Sequence, residues 1–288
     1  MRITTKILSI ALISITMLYF TQTSCKRENN KLPVLNIDSD SLALAKKFEQ
    51  AKEILYSLPS PNEVTSVLLE ADNTKFYSDL LNSTTNYSKY NTEISQALNL
   101  GIFSADLSYA SIFEQNQVAV SYMATCKKLA ENLRILEAFE QSTIDRMEKN
   151  LTNRDSIMRI ISETFMNSDA FLQENNRQDI GALILIGGWI EGLYISTQIT
   201  NGKINSNHQL VSSILEQQLS LELIVKFLKD FKSNKMEFVT QQINDLYTIY
   251  TNISTTITDK SLMTCPQDDF SKLYNKVNEL RTAIVSMN

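Results

Sequence analysis

The sequence predicts an all-α fold, a multi-helix bundle with long antiparallel C-terminal helices. Three observations carry this. Only 6 glycines and 4 prolines occur in 288 residues, too few for the turns a sheet protein needs. Apolar residues recur at three- and four-residue spacing along most of the chain, the period of one helix face. No run alternates apolar and polar residues as a half-buried strand would. With 43% hydrophobic residues, the chain has ample material for a core.

The first 24 residues read as an export signal. Arg2 and Lys6 form a positive start, residues 7–20 are mostly apolar, and Thr21, Gln22, Thr23 and Ser24 lead to Cys25. The apolar run falls short of the roughly 20 residues that span a bilayer comfortably, so a permanent span is the weaker reading. The segment resembles a bacterial lipoprotein signal, which implies that Cys25 becomes the first mature residue and carries the lipid. Gln22 stands where that pattern prefers leucine. Residues 26–40 are polar, contain Pro33 and lack periodicity, as expected of a tether. One helical domain is expected over residues 41–288.

Leu44, Phe48, Ala51, Leu55 and Leu58 mark a first helix face, which Pro59 ends. Ser60, Pro61 and Glu63 form a capping box with proline at the first helical position, opening a short helix through Val64, Val67, Leu68 and Ala71. Residues 73–91 are rich in Asn, Ser, Thr and Tyr, and predict a loop with at most one helical turn near Phe76 to Leu81. Its Tyr77, Tyr87 and Tyr90 either line a surface groove or pack back on the helices. Helices are then expected over 92–113 and 117–139, and through Ile144, Met147, Leu151, Met158, Ile161 and Phe165. An unusually apolar helix follows over 177–200, stopped by Asn201 and Gly202. Heptad spacing from Leu210 to Leu228, and again from Met236 through Ile253 to Ile257, predicts two long antiparallel helices. A last helix, with Asp268 or Asp269 as its cap, turns Phe270, Leu273, Val277, Leu280 and Ile284 inward.

Two helices carry small-residue stripes: Ala97, Gly101, Ser104, Ser108 and Ser111 on one, Gly181, Gly188, Gly192 and Ser196 on the other. Glycine costs a helix interior about 1 kcal/mol relative to alanine, so the stripes imply close backbone approach of central helices. Glu191 and the missing basic flanks argue against a membrane span at 180–199. Both helices place a tyrosine three residues after an acid: Asp106 with Tyr109, and Glu191 with Tyr194. A buried acid must be paired, hydrogen-bonded or protonated. Asp106, Tyr109, Trp189, Glu191 and Tyr194 are therefore the candidate pocket, either for a cation or acid–base hydrolysis, or simply as a structural brace.

Other chemistry is narrowed by what the sequence lacks. His208 is the only histidine, which excludes a multi-histidine zinc site, and no phosphate-cradling loop, dinucleotide fingerprint or nucleophile elbow occurs. No catalytic residue, metal or cofactor is assigned. Loss of residues 1–24 removes Arg2 and Lys6, taking 27 basic residues to 25 against 32 acidic ones, and this excess of acid disfavours nucleic acid as a partner. Cys126, on an apolar stripe, and Cys265, beside Pro266, either form a disulfide or remain a core thiol and a loop thiol.

Residues 97–110 (ALNLGIFSADLSYA) and 187–194 (GGWIEGLY) resemble a family of uncharacterised all-helical lipoproteins from Bacteroidota. The resemblance implies a lipid-anchored helical domain in the cell envelope, on the outer membrane, and brings no activity. The sequence does not match the glycine-histidine-glutamate signature of the helical imelysins around His208. The expected function is binding or scaffolding of a protein or small-molecule partner from a membrane anchor at Cys25. The alternative is a hydrolase or cation-binding protein that uses Asp106 and Glu191.

Overall fold

The computed structural model describes residues 75–136, 141–150, 153–175, 177–230 and 236–288. The signal, Cys25, the tether and the helix pair expected over 44–71 lie outside the described residues, as do Leu151 and the side chains of Ile144, Met158 and Phe165. The described part is built from nine α-helices: α1 (Glu93–Ile112), α2 (Asn116–Asn132), α3 (Gln141–Lys149), α4 (Arg154–Glu174), α5 (Gln178–Thr200), α6 (His208–Glu216), α7 (Gln218–Asp230), α8 (Glu237–Asn252) and α9 (Gln267–Val285). A multi-helix all-α bundle is thus what the chain forms. Two short 3-10 turns, Ser78–Leu80 and Thr84–Lys89, precede α1 where mainly loop was expected.

The centre of the bundle is the pair α1 and α5. α1 also packs on α2, α4 and α9, and α5 on α4, α6 and α9. The close approach expected from the stripes occurs at Gly101 and Gly187. A β-carbon added at Gly101 would sit 1.9 Å from the Ile184 carbonyl oxygen and 2.7 Å from the Gly188 nitrogen. One added at Gly187 would sit 2.0 Å from the Leu98 carbonyl oxygen. Backbone therefore packs on backbone, which only residues without a side chain permit. The serines of the stripes donate within their own helices: Ser104 to the Leu100 carbonyl at 2.7 Å, Ser108 to Ser104 at 2.9 Å, Ser111 to Leu107 at 2.7 Å and Ser196 to Gly192 at 2.7 Å. Their hydroxyls are satisfied locally, so burying this polar stripe leaves no orphan donor.

α1 begins in a reciprocal capping box. The Ser95 amide donates to Thr92 Oγ1 at 3.1 Å, and the Thr92 amide to Ser95 Oγ at 3.1 Å. Arg177, just before α5, donates to the Leu133 carbonyl at 2.7 Å and pairs with Glu93 at 3.0 Å, tying the start of α5 to the end of α2 and the start of α1. Asn201 (φ 50°) and Gly202 (φ 65°) end α5 in left-handed geometry, as their sequence predicts.

α2 stops at Asn132, seven residues before the expected end. Arg134 (φ 57°) donates to the Glu131 carbonyl and Ile135 to the Ala130 carbonyl, the two bonds of a Schellman motif. Glu114 (φ 56°) closes α1 the same way, with Gln115 reaching back to Ala110. A left-handed residue with a β-carbon costs about 1–2 kcal/mol. Arg134→Gly is therefore expected to stabilise the protein by about 1 kcal/mol in chemical denaturation. An unchanged midpoint would count against strain at this cap.

The long C-terminal helices are shorter than the heptads suggest. The first is interrupted at Gln217 between α6 and α7, where the Gln217 amide turns to the Ile214 carbonyl. The second, α8, ends at Asn252, because Ile253 is extended (ψ 126°) and Ser254, Thr255, Thr256, Ile257 and Thr258 follow. Hydroxyl and β-branched residues in succession favour extended backbone over helix. Thr256–Ile257 (β1) and Met263–Thr264 (β2) pair as a minimal antiparallel hairpin, turned by Ser261 (φ 60°) and docked on α6 by the Met263 amide donating to Ser212 Oγ at 2.9 Å. The absence of any strand expected from the sequence is corrected at this one place. α9 is preceded by Pro266 with no side-chain cap; Asp268 and Asp269 lie in its first turn, where negative charge favours the helix dipole.

The Asp179–Thr200 helix is long and apolar enough to cross a membrane, at mean hydropathy 1.5, yet 89% of its most apolar stretch is buried within the protein. It is the core helix. Cys126 and Cys265 are both free, buried thiols, so the bridge weighed from the sequence is not formed. Cys126 faces Ser104 on α1 (Sγ to Oγ 3.8 Å), while Cys265 belongs to the turn into α9. Burial pushes these thiols up to about 12 and about 11, respectively.

Candidate functional site

α1 and α5 bury Asp106 and Glu191 because nearly every face of the two helices is covered around them. Asp106 and Glu191 are 0% exposed. The cation that answers them comes from α9. Arg281 Nε donates to Glu191 Oε2 and its Nη2 to Glu191 Oε1, both at 2.9 Å, a bidentate fork–fork pair. The same Nη2 donates to the Leu80 carbonyl at 3.2 Å, and the guanidinium lies 4.5 Å from the centre of the Tyr194 ring.

Asp106 is held differently. Its Oδ2 accepts the Asn82 amide at 3.1 Å, while its Oδ1 accepts no hydrogen bond from any described residue. Glu191 neighbours Asp106, so an ionised Asp106 would face a second carboxylate. Burial pushes the Asp106 carboxyl well above the ordinary carboxylate range and the Glu191 charge adds to that; Arg281 and the Asn82 amide offset it only in part. The orphan oxygen and the raised pKa both favour the neutral form of Asp106. For Arg281, burial acts against the charged form, but Glu191 outweighs it and holds the guanidinium above its already high ordinary value.

A neutral polar shell surrounds the cluster. Asn82 donates from its side chain to Tyr90 Oη at 3.0 Å, and its carbonyl accepts Tyr122 Oη at 2.8 Å. Tyr90 Oη donates to the Val285 carbonyl at 3.3 Å, and Asn99 Nδ2 to the Ile284 carbonyl at 3.2 Å. These bonds join residues 82–90 to α1, α2 and α9. Burial, reinforced by Asp106 and Glu191, raises the Tyr122 hydroxyl far above its ordinary value.

Of the five candidate pocket residues, the structure brings together Asp106, Glu191 and Tyr194. Tyr109 turns elsewhere: its ring stacks on Phe76 at 5.2 Å and packs on Phe113 at 4.8 Å, and its hydroxyl accepts the Tyr77 amide at 3.1 Å. Burial raises that hydroxyl to about 12. Trp189 is 1% exposed and donates its ring N–H to Gln217 Oε1 at 2.9 Å, at the break between α6 and α7. Both are structural anchors outside the acid pair. Tyr90 packs back into the core rather than lining a groove, and Tyr77 and Tyr87 are half-buried beside Lys75 and Lys128.

The residues that sequence reasoning missed are Arg281, Asn82 and Tyr122; Tyr90 was expected to line a groove or pack back, and it packs back. Arg281 had a signal: it follows Val277 by four residues and Leu280 by one, so it borders the inward stripe of the last helix. Asn82 had none, because residues 73–91 carry no period from which a face can be read. His208 is exposed as the first residue of α6, which Asn207 caps by accepting the Leu210 amide at 3.0 Å. Among the described residues, no group of three or more His, Cys, Asp or Glu side chains is placed to hold a metal ion. Comparison of the chain with protein-family models, curated proteins and solved structures returns no match.

Proposed function

We propose that the chain is a lipid-anchored cell-envelope protein, carried on the outer membrane by Cys25, whose helical bundle binds or scaffolds a protein or small-molecule partner. One observation favours this over the hydrolase and cation-binding alternative. The two acids on which that alternative rests are 0% exposed, and both Glu191 oxygens are taken by Arg281. A general acid or base must reach its substrate within hydrogen-bonding distance, and a cation needs oxygen lone pairs that are not already engaged. Enclosure keeps substrate from both acids and the Arg281 clamp occupies Glu191, so the cluster is read as a brace for the fold, with partners left to the outer faces. The anchor is supported by the residues around Cys25 alone.

Cys25→Ser tests the anchor. The wild-type protein is expected to fractionate with membranes and to give an N-terminal peptide bearing acyl chains by mass spectrometry. The variant should lose the acyl mass and the processing that follows from it. An unmodified Cys25 in the wild-type protein would sink the anchored reading. The binding role is checked separately by thermal shift of the whole protein against peptides, sugars and metals.

A further inference from the structure

We propose that Asp106 carries a proton which it donates to Glu191, that this shared proton fastens residues 77–90 onto the bundle, and that its loss at alkaline pH releases that segment. The geometry supplies the argument. Two carboxyl groups, both fully enclosed, face a single guanidinium. Arg281 covers both oxygens of Glu191, and Asp106 Oδ1 has no donor among the described residues. With Asp106 neutral, the cluster has no net charge and each carboxyl oxygen has a partner. With Asp106 ionised, a negative charge is left inside the core beside a like charge.

The charged and titratable groups facing Asp106 are Glu191 and Tyr194 from α5, Arg281 from α9, Tyr122 and Cys126 from α2, and Tyr90 from the segment before α1. Arg281 is the one cation among them and is already engaged, so none of the others can neutralise a second carboxylate.

The element that yields is identified by its fastenings. Residues 77–90 are held by the Leu80 carbonyl on Arg281, the Asn82 amide on Asp106, the Asn82 carbonyl on Tyr122, the Tyr77 amide on Tyr109, the Asn82 side chain on Asn99, the Tyr90 hydroxyl on the Val285 carbonyl and the Gln96 side chain on the Tyr90 carbonyl. Two of these bonds, those of Leu80 and Asn82 to Arg281 and Asp106, go to the charged cluster itself. The regular structure there is limited to short 3-10 turns, whereas α1, α5 and α9 are each 19 to 23 residues long. In chain order the segment lies between Cys25 and the first central helix. Opening it would admit water to Asp106 while leaving the α1 and α5 contact intact.

The folded state holds the Asp106 proton more tightly than the unfolded chain does. Stability from this group therefore falls as pH rises from about 4, the ordinary Asp value, up to the folded pKa. Between those two values each pH unit multiplies the population of the open segment about tenfold, and above the folded pKa the effect levels off. Hydrogen exchange of residues 77–90 in the whole protein, corrected for intrinsic base catalysis and compared between pH 6 and pH 9, reads this directly. Asp106→Asn is the control: its amide can donate to Glu191 and its carbonyl can accept the Asn82 amide, and it has no proton to lose. We expect protection of 77–90 in the wild-type protein to drop at least about tenfold over this range and to stay level in the variant. Parallel loss in both proteins would overturn the proposal. The infrared carbonyl band of a protonated carboxylic acid, present at pH 7 in wild type labelled with carbon-13 aspartate, tests the proton without any variant. Its absence would overturn the proposal whether or not Asp106→Asn folds.

Discussion

Replacing Arg281 by methionine is expected to destabilise the fold by about 3–5 kcal/mol, the cost typical of removing one partner from a buried ion pair. Methionine fills much of the same volume and keeps the apolar stem, so the loss reports the charge rather than a cavity. It leaves Glu191 ionised inside the core with no cation, and takes from the Leu80 carbonyl its hydrogen bond. Glu191→Gln is expected to cost less, because Asp106, relieved of its like-charged neighbour, can ionise and take over Arg281. The double variant Arg281→Met, Glu191→Gln should recover part of the loss, since two neutral groups can share the site. Urea denaturation of the four proteins at neutral pH measures these differences. If Arg281→Met falls within 1 kcal/mol of wild type, or if Glu191→Gln is the more damaging change, the reading of the cluster is wrong.

Gly101→Ala is the second large effect. A glycine in a helix interior normally gains about 1 kcal/mol of stability on becoming alanine. Here the sign is expected to reverse, with a loss of about 3 kcal/mol, because the new methyl would sit 1.9 Å from the Ile184 carbonyl oxygen. Neither contacting atom is a flexible side chain, so the helices themselves must separate. Gly187→Ala meets the Leu98 carbonyl at 2.0 Å and should behave alike, whereas Gly101→Val should not fold. Trp189 lies beside Gly188, so its fluorescence tracks the loosening alongside the denaturation midpoint. A stabilised Gly101→Ala would show that the central helices do not cross there.

These two predictions differ in how far they could be read from the residues. Gly101 and Gly188, which approach each other, stood out in the chain because helix interiors disfavour glycine, and an unfavourable local choice needs a tertiary reason; Gly187, which packs on Leu98, lay outside the stripe. Asp106 and Glu191 stood out for the same kind of reason, as charges within apolar helices. Arg281 did not, because an arginine at the border of a helix stripe usually reaches solvent, and only the packing of α9 on α5 turns it inward. Helix ends show the same division. Thr92 with Ser95 and Asn201 with Gly202 declare their boundaries through side-chain and backbone chemistry. Arg134 adopts a left-handed cap that its residue type does not favour, so the end of α2 was invisible, whereas α1 ends within a residue of the expected position despite the left-handed Glu114.

The sequence by itself determined that this chain is helical, that two small-faced helices lie at its centre and that their acids must be answered. It also carries, in the residues around Cys25, the whole of the expectation that the protein is anchored. Periodicity, glycine usage and capping are properties of a few adjacent residues and need no knowledge of the rest. Only the tertiary structure decided which cation answers Glu191, that Asp106 Oδ1 is left without a donor among the described residues, and that Tyr109 and Trp189 serve other contacts. Those outcomes depend on groups as far apart in the chain as the Leu80 carbonyl and the Arg281 side chain meeting in the core. Charge there is governed by what surrounds a group on all sides, and no local pattern along the chain specifies that.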